Sequence, residues 1–233
     1  MSAIVEARGL RKTYRGGDAA DVDVLTDVNL AVHRGEVVAV VGPSGAGKST
    51  LLHLLGALDI PSGGEIVLDG HSYPSMTPLE LDVLRNQKIG FVFQFHHLLR
   101  EFTALENVMM PLLIGGTDAR RARSRAEEVL ARVDLAGRMA HRPAQLSGGE
   151  QQRCAVARAL VTDPKVLLAD EPSGNLDEAN ADRLHDLLFD LARDLETALV
   201  LVTHNRSLAD RCDRTVLLAN GRLEPATITE ATS

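Results

Sequence analysis

The chain has 233 residues, 45% of them hydrophobic, which suits one large α/β domain or a domain with an inserted subdomain. Its 25 basic and 32 acidic side chains give a net charge of −7, which argues against sequence-independent DNA binding and leaves only a local basic patch as an alternative. No apolar run approaches the ~18 residues of a membrane span, and the first residues lack the pattern of a secretory signal. We therefore expect any membrane role to come through a partner. The two cysteines, Cys154 and Cys212, lack metal-ligand spacing and fit reduced, buried thiols of a cytosolic protein.

Strand patterns occupy both ends of the chain. Strands are predicted at residues 4–10, 25–32, 37–41, 65–68, 89–93, 166–169, 198–202, 215–218 and 221–224. Segment 27–32 alternates polar and apolar residues, as a half-buried antiparallel strand does, whereas 37–41 is continuously apolar, which favours a strand buried in a parallel sheet. Loops or tight turns are predicted at 15–18, 61–64, 69–70 and 220–221, and a frayed tail at 227–233.

The middle of the chain has a different character. Residues 95–160 carry almost no strand signal and contain helical stretches interrupted by predicted breaks at Pro111 and at Gly115-Gly116. A helix predicted at 120–133 has a basic first half, formed by Arg120, Arg121, Arg123 and Arg125. We interpret this run as a solvated helix face, with an acidic partner as the less favoured alternative. The whole region therefore indicates a helical insertion in an α/β domain.

One segment carries a phosphate-binding pattern. The nine residues Gly42, Pro43, Ser44, Gly45, Ala46, Gly47, Lys48, Ser49 and Thr50 fit G-x-x-x-x-G-K-[ST], between an apolar strand and the apolar start of a helix. Backbone N–H groups and the positive helix end attract phosphate. Lys48 should reach the β- and γ-phosphates, and the Ser49 hydroxyl should ligate Mg²⁺. A plain glycine-rich turn is the alternative, and the flanking strand and helix make it remote.

Two adjacent carboxylates follow a second apolar strand. Asp170 stands where a strand beside a phosphate-binding loop is expected to supply a partner for Mg²⁺. Glu171 can then act as the general base on the attacking water. The pair alone is not specific, because an exposed strand end gives the same pattern; the phosphate-binding loop favours the functional interpretation.

A second helix start also suits a phosphate. Ser147 is placed as an N-cap with Glu150 three residues on, so capping alone explains both of them. It does not explain Gly148 and Gly149, which cost about 1 kcal/mol each against Ala in a helix. Bare N–H groups at a helix N-terminus suit an anion. The chain thus carries two predicted phosphate-binding helix starts, at Gly47 and at Gly148.

These motifs, in this order, resemble those of the ATP-binding cassette (ABC) ATPases over nearly the whole chain. In the family's terms, the resemblance places the Walker A loop at 42–50, the Q-loop glutamine at Gln94, the signature at 146–150, Walker B and the catalytic glutamate at 166–171, the D-loop at 173–177, the switch histidine at His204 and the adenine-stacking aromatic at Tyr14. Departures are few: Ser173 stands where relatives usually have Thr, Asn205 where Asp is common, Glu150 where many have Gln, and Arg100 where close relatives have Pro.

The resemblance implies a P-loop NTPase (RecA-like) α/β core with an antiparallel β subdomain and an inserted helical subdomain. Residues 1–94 and 165–233 would form the core of a single ABC ATPase domain, and 95–164 the helical signature subdomain. ATP and Mg²⁺ are the implied cofactors. The resemblance assigns catalysis to Lys48, Glu171 and His204, Mg²⁺ to Ser49, Gln94 and Asp170, and further nucleotide contacts to Tyr14, Asp177 and the residues of the P-loop. Two copies would pair head to tail, each ATP lying between one P-loop and the other chain's Ser147, Gly148 and Gly149.

A closer resemblance narrows the expected role. Segments 84–99, 102–108 and 110–115 resemble the cassettes of bacterial lipoprotein-releasing transporters. The resemblance implies an ATPase peripheral to the cytoplasmic face of the inner membrane, which contacts two integral-membrane permease subunits through a helical region after the Q-loop, residues 95–114. The exposed apolar side chains expected there are Phe95, Leu98, Leu99 and Phe102, with burial in the chain's own core as the alternative.

Other roles stay open at this point. Macrolide-exporter and cell-division cassettes share parts of the same segments more loosely. A soluble ABC ATPase acting on DNA or ribosomes is less favoured, because the chain has neither a long coiled-coil or zinc insertion nor a second cassette and its net charge is acidic. No nucleic acid partner is therefore expected. An inactive nucleotide-binding scaffold is opposed by the presence of Lys48, Asp170, Glu171 and His204 together. His96 and His97 are expected to point apart on a helical segment, which argues against a metal site.

Overall fold

The computed structural model describes residues 3–16 and 20–225. Part of the predicted loop at 15–18 and all of the predicted tail at 227–233 lie outside these residues. The strands are β1 Val5–Tyr14, β2 Val22–Val32, β3 Val37–Val41, β4 Gly63–Leu68, β5 His71–Ser72, β6 Ile89–Phe93, β7 Val166–Asp170, β8 Ala198–Val202, β9 Arg214–Ala219 and β10 Arg222–Pro225. The helices are α1 Lys48–Leu55, α2 Pro78–Lys88, α3 Ala104–Ile114, α4 Ala119–Arg132, α5 Gly148–Leu160, α6 Glu178–Asp194 and α7 Arg206–Ala209.

A six-stranded sheet forms the centre of the fold, in the order β10-β9-β3-β8-β7-β6. All neighbours from β9 to β6 are parallel, and β10 is an antiparallel edge strand. Alternate residues of β3 enter two hydrophobic clusters: Val37 and Ala39 pack with the helical region, and Val38 and Val40 with α1 and the strands of a smaller sheet. Burial on both faces explains why the parallel strands are continuously apolar in sequence.

The smaller sheet is antiparallel, in the order β2-β1-β4-β5. Its hairpin turn at Asp69-Gly70, like the turn at Asn220-Gly221 in the larger sheet, has two positive φ values: 49° and 80°, and 50° and 72°. Both predicted tight turns are confirmed, because this conformation is the one that two-residue hairpins need. The prediction of a turn at 61–64 is wrong in its second half, because Gly63 already pairs with Arg11 and β4 begins at that residue. The register between β1 and β4 is irregular between Arg8 and Arg11.

The helical region after β6 contains no strand among the described residues, as predicted, but two expectations about it are wrong. Pro111 lies inside α3 and does not break it. The buried residues before Pro111, such as Val108, hold the helix in the core, and the last turn closes through a bond from the Gly115 N–H to the Pro111 carbonyl (3.0 Å). In addition, segment 95–103 is irregular rather than helical, and His97 has a φ of 47°.

Within the described parts of the chain, no helix has both the length and the apolar character that crossing a bilayer requires.

Packing between β6 and the end of α5 gives a first prediction. A Cβ added at Gly90 would lie 2.3 Å from the carbonyl oxygen of Ala159 and 2.9 Å from Leu167 Cδ1. Because helix backbone cannot move aside cheaply, Gly90→Ala should destabilise the fold by about 1–3 kcal/mol. The matched control is Gly137→Ala, where a Cβ would meet nothing within 4 Å. Thermal unfolding should show a lower melting temperature for Gly90→Ala alone; equal values for both variants would contradict this packing.

Candidate functional site

Four neighbouring parallel strands bring the predicted site residues to one edge of the sheet. The P-loop follows β3, Gln94 follows β6, Asp170 ends β7, and Thr203 and His204 follow β8. Carboxyl ends of parallel strands share an edge, and that edge is where α/β folds bind ligands. A cavity of about 570 Å³ lies there, lined by Val24, Ser44, Gly45, Gly47, Lys48, Ser49, Thr50, Phe93, Gln94, Phe95, His97, Asp170, Glu171 and Val202.

The P-loop backbone is shaped to receive an anion. Gly47, the N-cap of α1, has a φ of 95°, and a Cβ there would lie 2.6 Å from Val24 Cγ1, so only glycine fits. The first backbone bond of α1 runs from the Leu51 N–H to the Gly47 carbonyl (2.8 Å). Within the described residues, the N–H groups of Lys48, Ser49 and Thr50 have no carbonyl acceptor. These donors face the cavity at the positive end of a helix, an arrangement that suits phosphate.

The Lys48 ammonium group lies over the same loop. Its Nζ donates to the carbonyl oxygens of Gly42 and Pro43, both at 2.9 Å. Two of its three hydrogens are thereby directed at the loop, which leaves one for an anion in the cavity. Pro43 and Ala46 do not themselves line the cavity; they form the turn, in which the Ala46 N–H donates to the Pro43 carbonyl (3.2 Å).

Glu171 and His204 form a direct pair beside the cavity. His204 Nδ1 lies 2.7 Å from Glu171 Oε1, and the Thr203 hydroxyl donates to the other carboxylate oxygen at 3.4 Å. The Glu171 side chain is 19% exposed and that of His204 78%. Glu171 has a φ of 44°, and its N–H donates to the Val202 carbonyl (3.0 Å), so β8 holds the strained turn that aims the carboxylate. A carboxylate held in this way can take a proton from water in the cavity.

The residues predicted for Mg²⁺ fit a small oxygen-liganded cation. Ser49, Gln94 and Asp170 all line the cavity, each with an oxygen of the kind that Mg²⁺ prefers. In the described part of the chain no group of three or more His, Cys, Asp or Glu side chains is placed to hold a metal. Mg²⁺ sites in proteins commonly use one or two protein ligands together with phosphate oxygens and water.

The signature residues lie elsewhere. Ser147 caps α5: its hydroxyl accepts from the Glu150 N–H (3.3 Å), and Glu150 accepts from the Ser147 N–H (2.8 Å), so the predicted capping box is confirmed. None of Ser147, Gly148 and Gly149 lines the P-loop cavity; Gly148 instead borders a separate cavity of about 220 Å³. A Cβ on Gly148 would meet only Leu176 Cδ2, at 3.8 Å. Packing within the chain therefore does not require this glycine.

Comparison with known proteins decides the family. The ABC transporter family profile matches residues 25–174. The chain belongs to the ABC transporter family. It is 52% identical over 220 residues to the lipoprotein-releasing system ATP-binding protein LolD of Legionella pneumophila strain Paris, spanning 94% of this chain and 96% of that protein. The LolD of Psychrobacter arcticus is 52% identical over 225 residues, 96% of this chain and 99% of the relative.

Solved structures agree with the ABC cassette fold. The dimeric post-hydrolysis state of the ATP-binding cassette MJ0796, bound to ADP and Pi, superposes with a TM-score of 0.85 at 39% identity, over 94% of this chain and 96% of that one. A second dimeric structure of MJ0796, a bacterial ABC transporter cassette, gives a TM-score of 0.85 at 40% identity. The predicted P-loop core with an antiparallel sheet and inserted helices is confirmed, and the chain is an ABC-type ATPase.

The Q-loop and the D-loop of this cassette are tied together. Gln94 Nε2 donates to Asn175 Oδ1 (3.3 Å), and Asn175 Nδ2 donates to the Gln94 carbonyl (3.0 Å). The Gly174 N–H donates to the Glu171 carbonyl (3.0 Å), which joins the D-loop to Walker B. Asp177 caps α6 through the Asn180 N–H (3.0 Å) and lies outside the P-loop cavity, so its predicted nucleotide contact stays a prediction.

A buried histidine that the sequence patterns did not predict contacts the D-loop from α6. His185 Nε2 lies 2.7 Å from the Ser173 hydroxyl, and the ring is almost fully buried on α6. Burial, aided by the positive charge of Arg211, lowers the pKa of His185 and favours the neutral ring. The available signal was a histidine on the apolar face of a helix beside Leu184 and Leu188, combined with serine in place of threonine at 173.

Tyr14 ends β1 and is paired with Val22, two residues before the cavity-lining Val24. It does not itself line the cavity, and its side chain is 41% exposed. Its hydroxyl donates to Asp59 (2.9 Å). The structure thus leaves exposed ring surface at this strand end, and adenine stacking on Tyr14 stays a prediction.

Two polar side chains bond the backbone of the segment after the Q-loop. Buried Asn107 accepts from the Leu99 N–H (2.8 Å) and donates towards the carbonyls of Leu99, Phe102 and Thr103 (2.9–3.1 Å). The Arg158 guanidinium donates to the carbonyls of His96 and His97, each at 2.8 Å. These bonds replace helical ones, which explains why the segment is irregular.

Most of the apolar surface predicted for this segment is present. The large hydrophobic side chains exposed there and at the end of α3 are Phe95, Leu99, Phe102, Leu113 and Ile114. Leu98 is an exception: it is buried in the core cluster with the helical region, so its predicted exposure is wrong. An irregular chain turns successive side chains in different directions, and this one turns Leu98 inward.

The Asn107 bonds give the second prediction. Asn107→Asp keeps the shape and the acceptor but removes the donor from three carbonyls and buries a negative charge, which should cost about 3 kcal/mol or more. Trypsin should then cut at Arg100 faster than in the wild-type protein. The matched control is Asn86→Asp, because half-buried Asn86 donates to one carbonyl only, that of Pro111 (3.1 Å). Equal cleavage rates in the two variants would contradict the role of Asn107.

Proposed function

We propose that the chain is the ATP-hydrolysing subunit of a transporter that releases lipoproteins from the bacterial inner membrane towards the outer membrane. The observation that carries the proposal is an identity of 52% to LolD proteins of several bacteria over nearly the full length of both chains. The alternatives, a macrolide exporter or a cell-division cassette, have no comparable support. The subunit acts peripherally at the cytoplasmic face of the membrane.

In this proposal the chain's own groups divide the work on ATP. The P-loop amides and Lys48 hold the β- and γ-phosphates, and Tyr14 stacks on adenine. Ser49, Gln94 and Asp170 would hold Mg²⁺, which when bound would neutralise charge on the phosphate oxygens. Glu171 takes a proton from the attacking water. His204 Nδ1 lies 2.7 Å from the Glu171 carboxylate, so His204 orients that carboxylate and also contacts the γ-phosphate. The pairing of His204 with Glu171 couples the strand ends of β7 and β8.

A second copy completes each site. Two donor-bearing helix starts lie in different places on one chain, at the P-loop and at Ser147–Gly149, and only the first borders the 570 Å³ cavity. A head-to-tail dimer brings one chain's signature over the other's P-loop, so that both sets of amides contact one triphosphate. The dimeric MJ0796 structures support this arrangement. The space around Gly148 suits a phosphate that approaches the bare backbone.

Two integral-membrane subunits are the proposed partners, one for each copy. They contact residues 95–114, where Phe95, Leu99, Phe102 and Ile114 leave apolar surface exposed beside the Q-loop. Because Gln94 is bonded to Asn175 of the D-loop, force on this segment reaches the nucleotide site through few contacts. Closure and reopening of the dimer would thus be transmitted to the permease.

Reconstitution tests the function directly. With its permease partners in proteoliposomes, the wild-type subunit should release a fluorescently labelled lipoprotein in an ATP-dependent way. Glu171→Gln should bind ATP yet lose about 10²–10⁴-fold in turnover, because the amide cannot take the proton, and Lys48→Ala should lose ATP binding itself. Wild-type turnover in Glu171→Gln would exclude that residue as the base. ATP hydrolysis without lipoprotein release would exclude the proposed cargo but not the ATPase.

Substitution at Gly148 separates folding from catalysis. Gly148→Ala should leave the melting temperature unchanged or raise it, because alanine is favoured over glycine in a helix by up to about 1 kcal/mol. Hydrolysis should nevertheless fall, since the new methyl group stands between the α5 amides and the other copy's nucleotide. Gly137→Ala, in open space away from both cavities, is the control. Full activity in Gly148→Ala would show that no ligand approaches this helix start.

A further inference from the structure

Beside the end of β1, Tyr14 forms a closed set with Lys12 and Asp59, two residues that none of the roles above uses. Lys12 Nζ donates to Asp59 Oδ1 (2.7 Å) and to the Ile60 carbonyl (2.8 Å). Tyr14 donates its hydroxyl hydrogen to the other oxygen of Asp59 (2.9 Å). Lys12 Nζ also lies 4.7 Å from the centroid of the Tyr14 ring, within the range of a cation–π contact. The ring is therefore held at its hydroxyl and over one face.

Local backbone geometry brings this set together. Lys12 and Tyr14 are two residues apart on β1, so their side chains share one face of the small sheet. The segment between α1 and β4 runs beside them: the Ser62 N–H donates to the Arg11 carbonyl (2.9 Å), and the Thr13 N–H to the Ser62 hydroxyl (3.0 Å). That segment continues from the helix that begins at the P-loop, so Asp59 links the phosphate-binding element to the Tyr14 strand.

Lys12 and Asp59 form an ion pair, and the lysine is buried. Lys12 is 8% exposed, and a lysine is seldom so buried unless its charge is matched. Partial burial alone would raise the pKa of Asp59, but hydrogen bonds from Lys12, Tyr14 and the Ile60 N–H outweigh it and hold that pKa below its usual value. The Asp59 carboxyl is therefore ionised at neutral pH. An ion pair kept at this depth, with the aromatic ring as a third member, fixes the direction of the ring.

We propose that Lys12 and Asp59 are positioning residues for base recognition, which hold the Tyr14 ring so that its uncovered face receives adenine. This inference rests on the proposed function, in which Tyr14 stacks on the base. Because Lys12 occupies one face, a base is left with the opposite face only. A ring that is already oriented loses less freedom when the base binds, which favours ATP over a phosphate chain without a base.

A purely structural ion pair between β1 and segment 59–62 is the competing explanation, and binding measurements with two probes separate the two. Dissociation constants for ATP and for inorganic tripolyphosphate, both with Mg²⁺, are measured on Lys12→Met and Lys12→Arg. Lys12→Met should weaken ATP binding by about two- to fivefold, the size expected for the loss of a weak cation–π contact. Tripolyphosphate binding should be unchanged. Lys12→Arg, which keeps a cation over the ring, should restore ATP affinity.

A double-mutant cycle completes the test. In a Tyr14→Ala background, Lys12→Met should not change the dissociation constant for ATP any further. Two results would overturn the proposal. One is a Lys12→Met variant that prefers ATP over tripolyphosphate as strongly as the wild type does. The other is a loss of ATP affinity on Lys12→Met that is as large in the Tyr14→Ala background as in the wild type. Should Lys12→Met fail to fold, Tyr14→Phe removes only a part-exposed hydroxyl and serves the same comparison: a reduced preference for ATP supports the proposal, and an unchanged one overturns it.

Failure of the underlying function has a different signature. The sequence contains no tryptophan, so Tyr14→Trp introduces a single tryptophan at the ring position, which can be excited selectively. Its emission should change with ATP and not with tripolyphosphate. No change with ATP, although ATP binds, would exclude stacking at residue 14 and overturn the positioning role with it. A wild-type chain that binds neither probe would instead contradict the proposed ATPase.

Discussion

The site depends on one constraint, the parallel order of β3, β8, β7 and β6. That order brings the P-loop, His204, Asp170 and Gln94 to a single edge of the sheet, although they are far apart in sequence. The strands are packed on both faces, since Val38 and Val40 pack on one side and Val37 and Ala39 on the other. The unpaired amides and the two carboxylates can therefore lie around one cavity without support from a ligand.

The same geometry is the basis of the proposal that a second copy completes the site. Its P-loop amides face a cavity that the α5 helix start does not reach, and that helix start keeps Gly148, a glycine that the chain's own packing does not require. The polar contacts between Gln94, Asn175 and Glu171 connect the nucleotide edge to the irregular segment at 95–103, which carries exposed Phe95 and Leu99. The surfaces proposed for the nucleotide and for the membrane partner are thus neighbouring parts of one connected structure.

Local patterns in the sequence predicted much of this. Strand β3, the capping box at Ser147 and the hairpin at Asn220-Gly221 follow from residue types within a few positions of one another, and all three are confirmed. Features that depend on distant partners were not predictable in this way. Pro111 was expected to break a helix that tertiary packing maintains. Leu98 was expected to be exposed, but Asn107 and Arg158, which lie further along the chain, bond the backbone around it and turn its side chain inward. The pairs His185–Ser173 and Lys12–Asp59 are visible only once helices and strands are packed. Whether each predicted residue contacts nucleotide or Mg²⁺ stays a prediction.

The central claim is that ATP is held between two copies of the chain. Its most direct measurement is the mass of the Glu171→Gln variant by light scattering with ATP and Mg²⁺, compared with the same variant in ADP. A dimer that retains one ATP for each chain, and that Gly148→Ala dissociates without loss of folding, is the predicted result. A monomer that binds ATP tightly, with the membrane subunits present as well as absent, would contradict the account.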